Sequence, residues 1–452
     1  MEQENVNNIP TAKKIEKLVD KGKTGKLKRL LAEVHPADIA DFLDQLPPEK
    51  AVIVFDLLPV AVASEVLDET GSLVRQELID KVDDEKLADM LDELPMDDAA
   101  EFLEALPDEV SDRLIELMEP EDRAEVRELL SYEENTAGRL MTRDVAVLRR
   151  LWTVDETLDY LRSLEETESI HYLYVVDKDD KLIGVVPLRN LIQSPANATI
   201  ESIMREGVVS VPVTADQEEL ADMVARYDYY SMPVVDGNGR FLGVVTVDDV
   251  LDIVEEEATE DIQRLGGSEP LTQPYFAVST LQIVRKRIGW LLLLFVASTL
   301  TGTVINLFKE ELETVIVLSL FIPLIIGTGG NAGSQTVATI IRAITLDEVR
   351  LSSIFPAVRK EVSVGILLGL VMTLVGGVRA LTWHTGYEIA FVVGLTLAAV
   401  VLWATTVATV IPILADRFNI DPTVISGPMI STVVDATGLF IYFGLAKMIL
   451  GL

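Results

Sequence analysis

The stretch IAFVVGLTLAAVVLWATTVATVIPILA, residues 389–415, runs for 27 residues without one charged side chain. A bilayer's hydrocarbon core takes about 20 helical residues to cross, and a soluble helix keeps one polar face over such a length. The stretch therefore reads as a membrane span and sets the class of the second half of the chain. Outward from it, charge-free runs recur at residues 288–308, 314–341 and 362–378, and a last run, 422–446, is broken only by Asp435. Five spans is the simplest count. They are expected to be helical, because in lipid each backbone N–H and C=O must find its partner within the segment.

The charge lies elsewhere. The 452 residues carry 38 basic and 73 acidic side chains, a net of -35. Residues 271–452 hold 11 basic and 10 acidic groups, so everything ahead of Leu271 carries a net of -36. Such a surface repels phosphate backbones and attracts divalent cations, which excludes nucleic acid as a partner. There is no cysteine, and the three histidines, His35, His171 and His384, are far apart. Disulfides, thiol nucleophiles and soft-metal sites are thereby excluded. Residues 1–20 lack the apolar core of a signal peptide, so the acidic half is expected in the cytosol. With the N-terminus inside, Arg285, Lys286, Arg287, Arg342, Arg350, Arg359, Lys360 and Arg417 flank the spans on the cytosolic side and Lys309, Arg379 and Lys447 on the other. That asymmetry satisfies the positive-inside rule for a multi-pass protein of the cytoplasmic membrane.

Three parts precede the spans. In residues 1–131 apolar side chains recur at helical spacing and a phrase repeats, as Asp41-Phe42-Leu43-Asp44-Gln45-Leu46-Pro47, Asp89-Met90-Leu91-Asp92-Glu93-Leu94-Pro95 and Glu101-Phe102-Leu103-Glu104-Ala105-Leu106-Pro107. Pro47 and Pro59, like Pro95 and Pro107, lie twelve apart, ending one short helix and opening the next. This predicts an all-α superhelical domain. Residues 132–254 contain a duplication: Tyr174-Val175-Val176-Asp177 with Leu182-Ile183-Gly184-Val185-Val186 returns, at a constant offset, as Pro233-Val234-Val235-Asp236 with Phe241-Leu242-Gly243-Val244-Val245. Met141 and Met204 each open a stretch leading to an amphipathic helix. The order of elements resembles a tandem pair of α/β CBS modules. Such modules hold adenosine nucleotides, ATP among them, through a Gly-apolar-apolar-Thr-x-x-Asp stretch whose carboxylate takes the ribose hydroxyls. The second copy has it as Gly243, Thr246 and Asp249, whereas Pro187 and Asn190 stand in the first. Residues 255–287 are expected to form a connecting helix, with an amphipathic stretch over 271–287, and residues 288–452 the five-helix membrane domain.

Asp435 lies about twelve residues into the last span, near the bilayer centre. A carboxylate there costs about 3 kcal/mol on insertion scales, so it faces a watery path, pairs with a basic residue of a neighbouring helix or is protonated. No Lys or Arg lies inside another span to pair with it. Pro428, Thr432, Thr437 and Gly438 loosen the same span, as Pro323 and Gly327 to Thr336 loosen the second. Two such helices can wall a pore, although small residues also serve close packing.

Gly329-Gly330-Asn331-x-Gly333-x-Gln335 and Pro428-x-x-x-Thr432-x-x-Asp435-x-x-Gly438 resemble the hallmark motifs of MgtE magnesium channels, and the domain order matches over essentially the whole chain. The resemblance implies a homodimer with one pore on its two-fold axis, lined by the second and fifth spans with Gly329, Asn331, Gly333, Gln335, Pro428, Thr432 and Gly438, and with both Asp435 side chains facing hydrated Mg²⁺. It further implies that cytosolic Mg²⁺ closes the gate by bridging acids at domain interfaces. Those carried over are Glu65, Asp97, Glu101, Asp228, Asp249, Asp252, Glu257, Glu260, Asp261 and Asp421. Oxygen sites of this kind also suit Mn²⁺ or Co²⁺, which leaves a channel or transporter for those ions as the alternative. A membrane hydrolase would need a nucleophile and base or an acid pair in the bilayer, and a central acid has the wrong sign for an anion path. No enzymatic activity is expected.

Overall fold

The computed structural model describes residues 11–164, 169–271, 275, 278–346, 348–418 and 420–452. The opening of the expected N domain, residues 1–10, and 272–274 and 276–277 of the expected connecting helix lie outside them. The chain divides into two compact units, Met1–Glu257 and Ala258–Leu452, each described by itself.

The first unit opens, among the described residues, with ten short helices: α1 (Ala12–Asp20), α2 (Thr24–Leu31), α3 (Pro36–Asp44), α4 (Pro48–Phe55), α5 (Val60–Glu69), α6 (Ser72–Lys81), α7 (Asp84–Leu91), α8 (Met96–Glu104), α9 (Asp108–Leu117) and α10 (Pro120–Leu129). The prolines set their starts. Pro47, Pro59, Pro95 and Pro107 are the N-cap residues of α4, α5, α8 and α9, in extended conformations that no helix can continue through. Helices two apart stack on each other, α3 on α5, α4 on α6, α5 on α7, α7 on α9 and α8 on α10. This is the superhelical arrangement the repeat predicts, and it buries Leu43, Phe55, Leu67, Leu91 and Leu103 completely.

Two matching modules follow. The first contains β1 (Val145–Arg149), α11 (Val154–Ser163), β2 (Ser169–Val176), β3 (Leu182–Pro187), α12 (Leu188–Gln193) and α13 (Ile200–Ile203). The second contains β4 (Val211–Pro212), α14 (Gln217–Tyr227), β5 (Ser231–Val235), β6 (Phe241–Thr246) and α15 (Val247–Leu265). In both sheets the first strand runs parallel to the second and the second antiparallel to the third. The modules trade their leading segments. Thr142, ahead of the first module, bridges Val244 of the second, while Arg205, ahead of the second, bridges Val185 of the first. Glycine makes both crossings possible. A Cβ on Gly243 would stand 2.3 Å from the Thr142 carbonyl oxygen, and one on Gly184 2.8 Å from Met204 Sδ.

In the second unit α16 (Thr280–Leu307), α17 (Lys309–Thr314), α18 (Ile322–Thr345), α19 (Ile354–Thr382), α20 (Tyr387–Arg417) and α21 (Gly427–Leu450) follow α15. Among the described residues, five helices are long and apolar enough to cross a membrane, as expected. They outrun the charge-free runs of the sequence, because basic residues such as Arg359 and Lys360 continue the helix while their long stems reach water. The chain is thus a helical domain, a CBS-type α/β pair and a five-helix apolar domain.

The connecting helix is placed differently from the sequence expectation. It is the continuation of α15, stopped by Gly266 and by Gly267 in the left-handed region (φ +72°). The amphipathic residues 280–287 are instead the first turns of α16, which starts at a capping box between Ser279 and Gln282.

Candidate ion path and acidic cluster

Helices α18 and α21 meet along a seam of small residues. A Cβ on Gly329 would stand 2.6 Å from Val400 Cγ1 and 2.8 Å from Val434 Cγ1, and one on Gly333 2.9 Å from Ile430 Cγ2. Hydroxyls tie the same seam. Ser334 and Ser431 share a hydrogen bond of 3.1 Å, Ser334 donates to the Gly427 carbonyl and Ser431 to the Gly330 carbonyl, both at 3.3 Å. Gly438 packs on Val400. Gly329, Gly333 and Gly438, expected to line a pore, are therefore buried packing positions inside one chain. The reason is helical phase, since residues two apart point about 200° apart around the axis.

The other face of α18 is polar and open. Gly327, Asn331, Gln335 and Thr339 recur at every fourth position along it, and all four are exposed. On α21, Pro428 is exposed and Thr432 and Asp435 are partly so, one to two turns apart. Asp435 lies against Gly330, where a Cβ would stand 3.6 Å from Oδ1. That Oδ1 is buried with no hydrogen-bond partner among the described residues. Thr437 is not free in the same way: it accepts from Trp403 Nε1 at 2.8 Å and donates to the Val433 carbonyl at 2.7 Å.

The acidic residues separate into groups. One carboxylate oxygen from each of Asp97, Asp98 and Asp249 comes within 4.8 Å of the other two, where the first turn of α8 meets α15. Burial pushes Asp249 up to about 6, offset by hydrogen bonds from Thr246 and reinforced by Asp248 and Glu101. Its Oδ2 accepts from Thr246 Oγ1 at 2.7 Å and from the Thr246 amide at 3.2 Å, capping the start of α15. At the rim, partial burial and then Asp68 and Glu256 raise Glu101, while burial and then Glu255 and Asp248 raise Asp252. A concentration of hard oxygens with no nitrogen or sulfur donor suits Mg²⁺.

The remaining candidates lie apart. Glu65 is exposed on α5, and Asp228 is exposed at the left-handed end of α14. Glu257 accepts from Gln217 Nε2 at 2.6 Å. Glu260 and Asp421 share one guanidinium, that of Arg264. Asp261 is partly buried. Sequence reasoning missed Asp98, Asp68, Glu256 and Arg264. Asp98 carried no distinguishing mark, since acids open α7, α9 and α10 as well.

Comparison with known proteins fits this architecture part by part. The family model MgtE, a divalent cation transporter, matches residues 322–445, the MgtE intracellular N domain matches 34–135, and the CBS domain matches 137–197 and 200–256. The magnesium transporter MgtE of Thermus thermophilus is 39% identical over 325 residues, 71% of this chain and 72% of that protein. The chain belongs to the MgtE family of magnesium transporters. The Bacillus subtilis magnesium transporter MgtE is 33% identical over 320 residues, 70% of each chain. The solved cytosolic domain of the Mg²⁺ channel MgtE in complex with ATP is 40% identical and covers 54% of this chain and 99% of its own, with a TM-score of 0.51. This member of the family is a transporter and not an enzyme.

Proposed function

We propose that the chain is a Mg²⁺-selective channel of the cytoplasmic membrane, with its N-terminus in the cytosol, that cytosolic Mg²⁺ closes. One observation carries the reading: the unpartnered Asp435 carboxylate stands on α21 beside an α18 whose open face bears Asn331 and Gln335. Amide side chains facing lipid along a span are costly, so that face belongs to water or to a second copy. A two-fold homodimer satisfies both, with two Asp435 carboxylates facing across a hydrated pore lined by Asn331, Gln335, Pro428 and Thr432. Mg²⁺ gives up its waters reluctantly, and a wide pair of carboxylates attracts the hydrated ion without trapping it.

The closing signal is read by the cytosolic acids. Asp97, Asp98 and Asp249, with Glu101 and Asp252 around them, repel one another when no cation is bound, and Mg²⁺ among them favours the compact unit. Glu65, Asp228, Glu257 and Asp261 serve the same purpose at contacts between copies. Between Glu260 and Asp421 a Mg²⁺ ion must displace the Arg264 guanidinium. An adenosine nucleotide such as ATP at Thr246 and Asp249 is supported by the motif and by the ATP complex of the related cytosolic domain. It would exchange the Thr246 cap for ribose hydroxyls. Because all the donors are oxygens, Mn²⁺ and Co²⁺ form the second reading. Flux into liposomes holding a Mg²⁺-sensitive dye, with Mn²⁺ and Co²⁺ as competitors, tests the proposal. Uptake that an Asp435→Ala protein retains in full, or that either competitor abolishes at low concentration, overturns it.

A further inference from the structure

The last turns of α18 and the first turns of α19 enclose a cleft of about 570 Å³, into which Arg342 and Lys360 project together with Glu348 and Glu361. A second cleft of about 490 Å³ adjoins it, shares Lys360 and adds Arg359, Phe355 and Leu367. Neither Arg342, Arg359 nor Lys360 has an ion-pair partner among the described residues. Within two turns of α19 the surface passes from these cations to bare apolar side chains, Leu367 being 65% exposed, while Phe355, 76% exposed, stands one turn before the cations at the start of the helix. Spans that carry free cations at the edge of an exposed apolar surface present a headgroup-level site.

We infer that this double cleft binds the headgroup of an anionic phospholipid. The side chains narrow the chemistry. Three cations take the phosphodiester oxygens. Glu348 and Glu361 accept hydrogen bonds and repel further negative charge. The set fits a single phosphodiester carrying a neutral, hydroxyl-bearing headgroup, as in phosphatidylglycerol, better than a headgroup with several phosphates. The inference rests on the five spans alone and not on the channel reading.

The test is native mass spectrometry of the full-length protein in micelles doped with equal amounts of phosphatidylglycerol and phosphatidylcholine. The wild type should retain phosphatidylglycerol preferentially. Arg342→Gln/Lys360→Gln should weaken that retention about 30-fold, from the worth of two basic residues near an anionic surface. Arg379→Gln, at the opposite end of α19, should leave it unchanged. Arg359→Gln is the second variant if the double one does not fold, with a loss of about fivefold. Equal retention of both lipids by the wild type, or undiminished retention by the folded variants, overturns the inference. So does full displacement of the lipid by inorganic phosphate or glycerol phosphate, which would make the cleft a site for a soluble phosphate.

Discussion

Replacing Gly327, Gly329 and Gly333 of α18 by alanine, one at a time, separates a packing seam from a pore lining. Each exchange favours the helix by about 1 kcal/mol, since alanine loses less backbone entropy than glycine. The space differs. At Gly327 no atom lies within 4 Å of the new Cβ, so that gain is kept. At Gly333 the Cβ meets one methyl, Ile430 Cγ2 at 2.9 Å, with the next atom at 3.6 Å. A small rotation of Ile430 absorbs this, and the net change is expected within about 1 kcal/mol of zero. At Gly329 two valines on two different helices stand at 2.6 and 2.8 Å. Valine is stiff at χ1 and carbon atoms pack at about 3.5–4.0 Å, so α18 must move away from α20 and α21 by roughly 1 Å. Overpacking of that size costs about 1–3 kcal/mol. Thermal unfolding of the full-length protein in detergent should therefore rank Gly327→Ala at or above wild type, Gly333→Ala near it and Gly329→Ala several degrees below, with Mg²⁺ flux falling only in the last. If these glycines served instead by baring their backbone to the ion path, Gly327→Ala would impair flux most and stability would not follow the contacts. That order of effects would refute the packing argument.

Asp435→Ala should abolish Mg²⁺ flux while the protein stays folded, and Asp435→Asn should lose most of it, because the amide keeps the shape without the negative field; liposome uptake reports both. Deleting residues 1–131 should leave a conducting protein whose open probability in patch-clamp falls less steeply with cytosolic Mg²⁺, since one side of the Asp97, Asp98 and Asp249 cluster is removed. Asp249 is held at about 6 against an ordinary 3.8, so its burial opposes folding fully above about pH 6 and ceases to do so as pH falls towards 4. Asp249→Asn should accordingly raise the unfolding midpoint of the Mg²⁺-free protein at pH 7.5, flatten its rise between pH 7 and 5, and diminish the stabilisation that added Mg²⁺ produces.

The five spans, the superhelical repeat and the duplicated modules were legible because each is a pattern along the chain. Sustained hydropathy, prolines at a fixed interval and a phrase that returns at a constant offset need no tertiary information. Which acids meet is a tertiary matter. Asp97 and Asp249 are far apart in the chain, and in a segment so rich in acids nothing in the sequence sets Asp98 above its neighbours. Helical phase explains the glycines. The motif Gly329-Gly330-Asn331-x-Gly333-x-Gln335 mixes two faces, one turned to Val434 and Ile430 and one left open, and the letters do not say which is which. The single connecting helix expected over 255–287 spans the Gly266-Gly267 stop, and its amphipathic end belongs to α16, because amphipathic spacing marks a helix without saying which of two neighbouring helices it continues.

The seam between α18 and α21 also restricts how the membrane unit can deform. Two helices whose backbones touch through glycine, and whose serines are bonded across to each other's carbonyls, cannot be prised apart without breaking these part-buried hydrogen bonds and the glycine contacts together. They behave mechanically as one wedge. A conducting path that widens and narrows must therefore do so by moving whole wedges against each other, leaving the angle within each wedge constant. A disulfide or chemical crosslink engineered within one wedge would then be silent in function, while the same crosslink joining two wedges would lock the protein in whichever state it was formed.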